Sequence, residues 1–139
     1  MSAIYQISVF LENRAGSLSE ITRVLADSGI NLRALSIADT RDFGILRLIV
    51  NDNETALKTL TEEGYLINTT AVVGVKIGDE PGKLSKALRV LDEKNINVEY
   101  LYAFMARTEK HAYVVLRVEN NDVAGEVLAN AGFKLVQES

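Results

Sequence analysis

The stretch ENRAGSLSEITRVLADSGINL, residues 12–32, returns sixty-six positions later as GDEPGKLSKALRVLDEKNINV, residues 78–98. The two share Gly16/Gly82, Leu18/Leu84, Ser19/Ser85, Arg23/Arg89, Val24/Val90, Leu25/Leu91, Ile30/Ile96 and Asn31/Asn97. That makes 8 identities in 21 positions, where ordinary residue usage gives roughly one or two. The chain is therefore read as a tandem duplication, and each inference on one copy is checked independently on the other.

Working outward, the duplication extends on both sides. Ahead of the quoted unit, Tyr5, Ile7, Val9 and Leu11 alternate with Gln6, Ser8 and Phe10, as Ala71, Val73, Val75 and Ile77 alternate with Gly74 and Lys76. Period two with β-branched residues predicts a strand in each copy, the first-named residues facing the core. Leu18, Ile21, Val24 and Leu25, matched by Leu84, Ala87, Leu88 and Leu91, hold helical spacing and predict amphipathic helices. Gly29 and Asn95 stand where such a helix ends on a left-handed residue. Two strands follow in each copy, at 31–38 and 44–50, then at 97–106 and 112–118. A second helix is predicted over 54–63 and over 123–131, stopped by Gly64 and Gly132, with short apolar strands from Tyr65 and Phe133. The turn RTEKHA is read as longer than its counterpart TRDFG. The order strand-helix-strand-strand-helix-strand, twice, is the split βαβ of ferredoxin-like folds. The expected class is α+β: two βαββαβ repeats with antiparallel sheets and helices on one face, residues 1–68 and 69–139.

Bulk properties narrow the function. The 139 residues carry a net charge of −4, with 47% hydrophobic and 24% charged residues, the composition of a soluble globular chain. No Lys/Arg run supplies the basic face that phosphate neutralisation needs, so nucleic acid is not an expected partner. Without cysteine there is no disulfide framework, thiolate metal site or cysteine nucleophile. No signal-peptide pattern opens the sequence and no apolar run is long enough to span a bilayer. The expected localisation is cytoplasmic, without a membrane partner.

Motifs that suggest catalysis fail on context. Asp42-Phe43-Gly44 spells the kinase magnesium triplet, but a kinase also needs a Gly-rich loop and an HRD loop, and here the triplet reads as a turn leading into a strand. Asn53-Glu54-Thr55 and Asn68-Thr69-Thr70 match a glycosylation acceptor that is idle without secretion. His111, the sole histidine, falls at a hairpin end and is read as an exposed turn residue. No nucleophile–base pair or close carboxylate pair can be assembled. An acylphosphatase-like enzyme would need a phosphate-cradling loop with a paired arginine, which ENRAGS is too short and too poor in glycine to supply. The expectation is a protein that is not an enzyme and carries no cofactor or metal.

The two glycine loops stand apart. Residues 12–18 and 79–84 each join a strand to a helix N-terminus, where unsatisfied amides at the positive end of the helix dipole can receive a carboxylate. Gly16 and Gly82 let the backbone turn tightly and let a ligand approach it. A plainer reading stands beside this one, in which the glycines only turn the chain and Asn13 and Asp79 cap the helices.

The strings NRAGSLSEITRVLADSGINL and EPGKLSKALRVLDEKNINV resemble the signature of the ACT domain, the second with Pro81 before its glycine, and together the copies cover nearly the whole chain. The resemblance implies a small tandem ACT protein that binds an amino-acid effector, commonly at an interface between two domains. In serine-responsive members an Asn of the loop and an Asn opening the second strand hold the effector. By position these match Asn13 and Asn31, and in the second copy Asn97, with Asp79 in place of the loop Asn. Neither copy has the histidine those members carry just before the loop Asn. The ligand-binding residues so expected are Asn13, Arg14, Gly16, Ser17, Leu18 and Asn31 in the first copy, and Asp79, Gly82, Lys83, Leu84 and Asn97 in the second. A zwitterion needs donors for its carboxylate, here the amides of Gly16, Ser17 and Leu18 with Arg14 in support. It also needs acceptors for its ammonium, here the side-chain oxygens of Asn13 and Asn31. Asp79 and Glu80 would repel a ligand carboxylate, so the two sites are not expected to be equivalent.

The function expected is a non-catalytic amino-acid sensor acting in trans on a biosynthetic enzyme, the alternative being a ligand-free interaction module of the same fold. A homodimer is expected, because the open sheet edges present unpaired backbone groups. The linker 68–70 crosses about 10 to 14 Å at full extension, against roughly 29 Å for six strand positions. Side-by-side pairing of the second strands within one chain is thereby excluded. The copies are expected either to stack sheet on sheet or to share one strand over 65–77.

Overall fold

A computed structural model of the chain describes residues 4–39, 42–104 and 111–136. Its elements run β1 (Ile4–Glu12), α1 (Ser17–Asp27), β2 (Leu32–Asp39), β3 (Phe43–Val50), α2 (Asn53–Glu62) and β4 (Ile67–Gly78). There follow α3 (Lys83–Glu93), β5 (Val98–Ala103), β6 (His111–Val118), α4 (Asn121–Asn130) and β7 (Lys134–Val136). The fold is the α+β double βαββαβ. The chain divides into two compact units, Tyr5–Thr70 and Ala71–Ser139 with Met1–Ile4.

In the unit Tyr5–Thr70 the strand order is β2-β3-β1 with the opening of β4 beside β1; there the Phe10 amide donates to the Leu66 carbonyl at 3.0 Å. β3 pairs antiparallel with both neighbours, Ile7 opposite Leu48 and Leu35 opposite Leu48 on the other side. The other unit has the order β7-β4-β6-β5, all antiparallel. β4 runs unbroken from Ile67 to Gly78, matching the single strand expected over 65–77 apart from its first two residues.

Each unit buries its own core, and the cores correspond residue by residue. Ile7, Val9, Ile21, Leu25, Leu46, Leu48, Ala56 and Leu60 cluster in the first. Val73, Val75, Ala87, Leu91, Val114, Leu116, Ala124 and Leu128 cluster in the second. Burying one Val, Leu or Ile side chain contributes about 1.5–3 kcal/mol, so the repeated apolar pattern is what fixes both folds.

Three expectations are corrected. Tyr5 is exposed at 44% while Gln6 is fully buried, its Nε2 donating to Ser8 Oγ at 3.3 Å. The alternation of β1 therefore counts one covered face where its start has its polar side covered too. Leu18 and Leu84 open their helices on the exposed side rather than facing the core. Asn13 and Asp79 cap nothing, since the N-cap residues are Gly16 and Gly82. The strand expected over 97–106 is present as β5, Val98–Ala103, and the Phe104 amide still donates to the Tyr113 carbonyl at 2.7 Å. Residues 105–110, which hold most of the turn RTEKHA, lie outside the described residues. Gly29, Gly64 and Gly132 have φ of 75°, 84° and 94°, and Asn95 has 57°, so the helix stops fall where the sequence places them.

Candidate functional site

The loop between β1 and α1 is held at its start. The Asn13 amide donates to the Asp42 carbonyl at 3.0 Å and the Arg14 amide to the Glu12 carbonyl at 3.0 Å. Gly16 takes φ 92° and ψ −15°, a left-handed conformation that costs other L-residues about 1–2 kcal/mol. Gly82 repeats it at φ 89° and ψ −8°.

The four helix starts divide into two kinds. Asp52 caps α2, its Oδ1 accepting from the Thr55 amide at 3.1 Å and its Oδ2 from the Thr55 hydroxyl at 2.6 Å. The hydroxyl bond first, and then the backbone bond, hold the Asp52 carboxyl below its ordinary value. Asn120 caps α4 through Val123 in the same way. α1 and α3 have no side-chain cap. In α1 the Ser17 amide is taken by the Arg14 carbonyl at 3.3 Å, and the next capping bond runs from the Glu20 amide to the Gly16 carbonyl at 2.9 Å. The donors left for a ligand are thus the amides of Gly16, Leu18 and Ser19. Ser17, expected to donate, is 7% exposed and its amide is already engaged.

Arg14 lies across this helix start. Its Nε pairs with Glu12 at 3.1 Å and its Nη2 with Glu20 at 3.6 Å, while Nη1 donates to the Ala15 carbonyl at 3.4 Å. A Cβ built on Gly16 would meet that same Nη1 at 3.9 Å. Glu20 also accepts from the Tyr65 hydroxyl at 3.3 Å. Desolvation first, and then the Glu20 charge, raises the Tyr65 hydroxyl above the ordinary tyrosine value.

Beside the loop opens a cavity of about 90 Å³ lined by Asn13, Arg14, Ser17, Leu18, Ile37 and Asp39, with Leu11 and Leu46 among its walls. Asp39 was not among the residues the sequence singled out. It closes β2 opposite Gly44, whose other partner is Leu11, so the register sets its carboxylate beside the loop. The signal was the pairing of two predicted strands rather than any motif. Asp39 and Glu12 are the two carboxylates that line this cavity.

Asn13 and Asn31 are not brought together within the unit. Asn13 is tied to Asp42, just before β3, and Asn31 to Asn51, just after it: the Asn31 amide donates to Asn51 Oδ1 at 2.9 Å. The eight residues of β3 separate them by about 26 Å. The second repeat behaves alike, with Asp79 following Gly78 opposite His111, and Asn97 preceding Val98 opposite Val118. There Gly82, Lys83 and the exposed Leu84 open α3. Among the described residues no cluster of three or more His, Cys, Asp or Glu is placed to hold a metal. None of the described helices is long and apolar enough to cross a membrane.

Two α+β modules, each with an uncapped helix start beside a glycine loop, stand in tandem in one chain. The family of ACT domain pairs matches residues 2–139, and the chain belongs to it. A protein of known structure from Bacteroides thetaiotaomicron is 42% identical, covering 96% of this chain and 92% of its own, with a TM-score of 0.90. The regulatory subunit of aspartate kinase from Thermus thermophilus shares the fold at 19% identity and TM-score 0.67, over 95% of this chain and 94% of that one. Its counterpart from Thermus flavus does so at 17% and 0.64, over 94% of each. No curated protein matches the sequence.

Proposed function

We propose that the protein is a non-catalytic regulator that binds an amino acid at the start of α1 and acts in trans on a biosynthetic enzyme. The observation that carries this reading is the contrast among the helix starts. Side chains cap α2 and α4, whereas both helices that follow glycine loops leave first-turn amides open. Such amides are donors for a carboxylate. In the first repeat Asp39 and Leu18 line one cavity, so a carboxylate for the ammonium and an open amide for the carboxylate of a zwitterion stand at the same site.

Asn31 then enters the site from a second copy. β2 pairs with β3 along one side only. Antiparallel pairing of two β2 edges sets the start of each strand beside the end of the other. Asn31 of one protomer thereby approaches Asp39 and Asn13 of its partner, and the homodimer completes the site. The regulatory subunits among the structural neighbours are in keeping with action on a separate enzyme. A second reading, an interaction module of the same fold without a ligand, draws on one observation: Arg14 is already matched by two carboxylates.

Calorimetric titration of the full chain with the common amino acids tests the choice. Saturation at two or fewer sites per chain is expected for one amino-acid class. Thermal stabilisation of about 2.7 kcal/mol is expected at about a hundred times the dissociation constant. No heat and no stabilisation with any amino acid overturns the reading in favour of the interaction module.

A further inference from the structure

The second repeat contains a larger cavity, about 530 Å³, between the start of α3, the end of α4 and strands β4 and β7. Its charged lining is Lys76, Lys83, Lys86 and Lys134, against the single carboxylate of Glu80. The arrangement is electrostatically costly. Lys76 and Lys134 are direct cross-strand partners, and like charges so placed destabilise a sheet. Lys83 is the first residue of α3, where the helix dipole disfavours a cation. Its stem lies along the cavity rim, with Cγ at 3.3 Å from where a Cβ on Gly78 would stand. Lys86 holds its Nζ 5.9 Å from the centre of the Phe133 ring. The ion pairs among the described residues all lie in the first repeat, so none offsets these four charges.

The first repeat serves as an internal control. At the same place in the fold it has a cavity of about 200 Å³. The residues matching Lys76, Lys83, Lys86 and Lys134 there are Phe10, Ser17, Glu20 and Leu66. The fold thus requires no cation at any of the four positions. A chain with a net charge of −4 nevertheless gathers four of its 15 basic residues around one cavity.

We propose that this cavity is a second ligand site, separate from the α1 loop, and that it takes a small polyanion carrying two or more linked phosphate groups. Four ammonium groups and one carboxylate leave an excess of about three positive charges, which a diphosphate matches and the lone carboxylate of an amino acid does not. Lysine binds phosphate as a point charge, without the planar fork by which arginine pairs bidentately with carboxylate or phosphate. The volume lies in the range of small-molecule sites, about 300–1,000 Å³.

The test is calorimetric titration of the full chain at low salt with sodium pyrophosphate, with orthophosphate and citrate titrated in parallel. Saturable pyrophosphate binding is expected, weakening as salt is raised and tighter than with either of the other anions. The double variant Lys76→Gln/Lys134→Gln should bind at least tenfold more weakly with an unchanged circular dichroism spectrum. Lys83→Gln alone should weaken binding, and Lys58→Gln at an exposed position on α2 of the first repeat should not. With no ligand present, Lys134→Gln should raise the melting temperature by relieving the Lys76 repulsion. Absence of binding at millimolar pyrophosphate, tighter binding of citrate, or equal affinity in the double variant would overturn the proposal.

Discussion

Replacing Asn31 by alanine separates a binding role from a structural one, because the structure shows what the residue already does. Its amide donates to Asn51 Oδ1 at 2.9 Å and its carbonyl accepts from the Asn51 amide at 3.2 Å. Alanine keeps both backbone bonds. The side chain is exposed, so the folded state should lose no more than about 0.5 kcal/mol. A hydrogen bond from a ligand ammonium to the carboxamide would be worth about 1.5–3 kcal/mol, or roughly 10- to 150-fold in dissociation constant. Since Asn13 lies at the other end of β3, the two residues can serve one ligand only from different protomers. Asn13→Ala and Asn31→Ala should each weaken both sites of a symmetric dimer. When the two variants are unfolded together and refolded as a mixture, each heterodimer should regain one intact site, made of the unaltered Asn13 of one chain and Asn31 of the other. Calorimetry on the mixture would then detect a tight component absent from either variant alone. A mixture that binds no better than its components refutes the shared site, and unchanged affinity in Asn31→Ala refutes the role of that residue.

Gly16→Ala should cost about 1–2 kcal/mol through its positive φ and leave the fold intact, since only Arg14 Nη1 lies near the added methyl; thermal denaturation giving a loss beyond about 4 kcal/mol would contradict the open space seen there. Gly74→Val should be far more damaging: a Cβ there would stand 2.4 Å from Ile4 Cδ1 and 3.0 Å from Val136 Cβ, and a soluble variant with the wild-type melting temperature would contradict that packing. Tyr65 holds its proton more tightly folded than unfolded, so its stabilisation is complete below pH 10.0 and is lost as pH rises through the higher folded value. Tyr65→Phe should accordingly flatten the fall of stability measured above pH 10.0, and an alkaline slope identical to wild type would refute the linkage.

The elements were legible because two mechanisms write themselves into sequence twice. Apolar spacing named the core, and the residue pairs Val9/Val75, Leu25/Leu91 and Leu60/Leu128 sit at matching depths. Left-handed stops named the helix ends, where Asn95 takes a conformation that Asn alone commonly shares with glycine. Two of the misreadings, at Tyr5 and at Leu18, share one cause: periodicity reports which face a residue lies on, not what covers that face. Leu18 keeps helical phase with Ile21 and Leu25, yet at the first turn it stays 45% exposed. The site was less legible because it depends on register. Nothing in the residues around Asp39 marks it, whereas the pairing of Gly44 with both Leu11 and Asp39 does.

The two repeats keep one frame and reverse its charge. In the first, Glu20 accepts from the Tyr65 hydroxyl and pairs with Arg14, so the charges beside the smaller cavity at the helix start are met by the repeat's own side chains. In the second, the same two positions are Lys86 and Phe133, and the ammonium rests near a ring that has no hydroxyl to offer. Glu80 stands where Arg14 stood, yet it forms no ion pair with the lysines around it. One substitution of this kind would be ordinary surface drift. Here Phe10, Ser17, Glu20 and Leu66 are all replaced by lysine at the rim of one cavity, and Lys76 faces Lys134 across a sheet where the repulsion lowers stability. A stability cost repeated at neighbouring positions is better explained by a bound anion that offsets it than by four independent changes. If both proposals hold, duplication has given this chain two different sites, a loop at α1 that takes a zwitterion and a cleft at α3 that takes a polyanion.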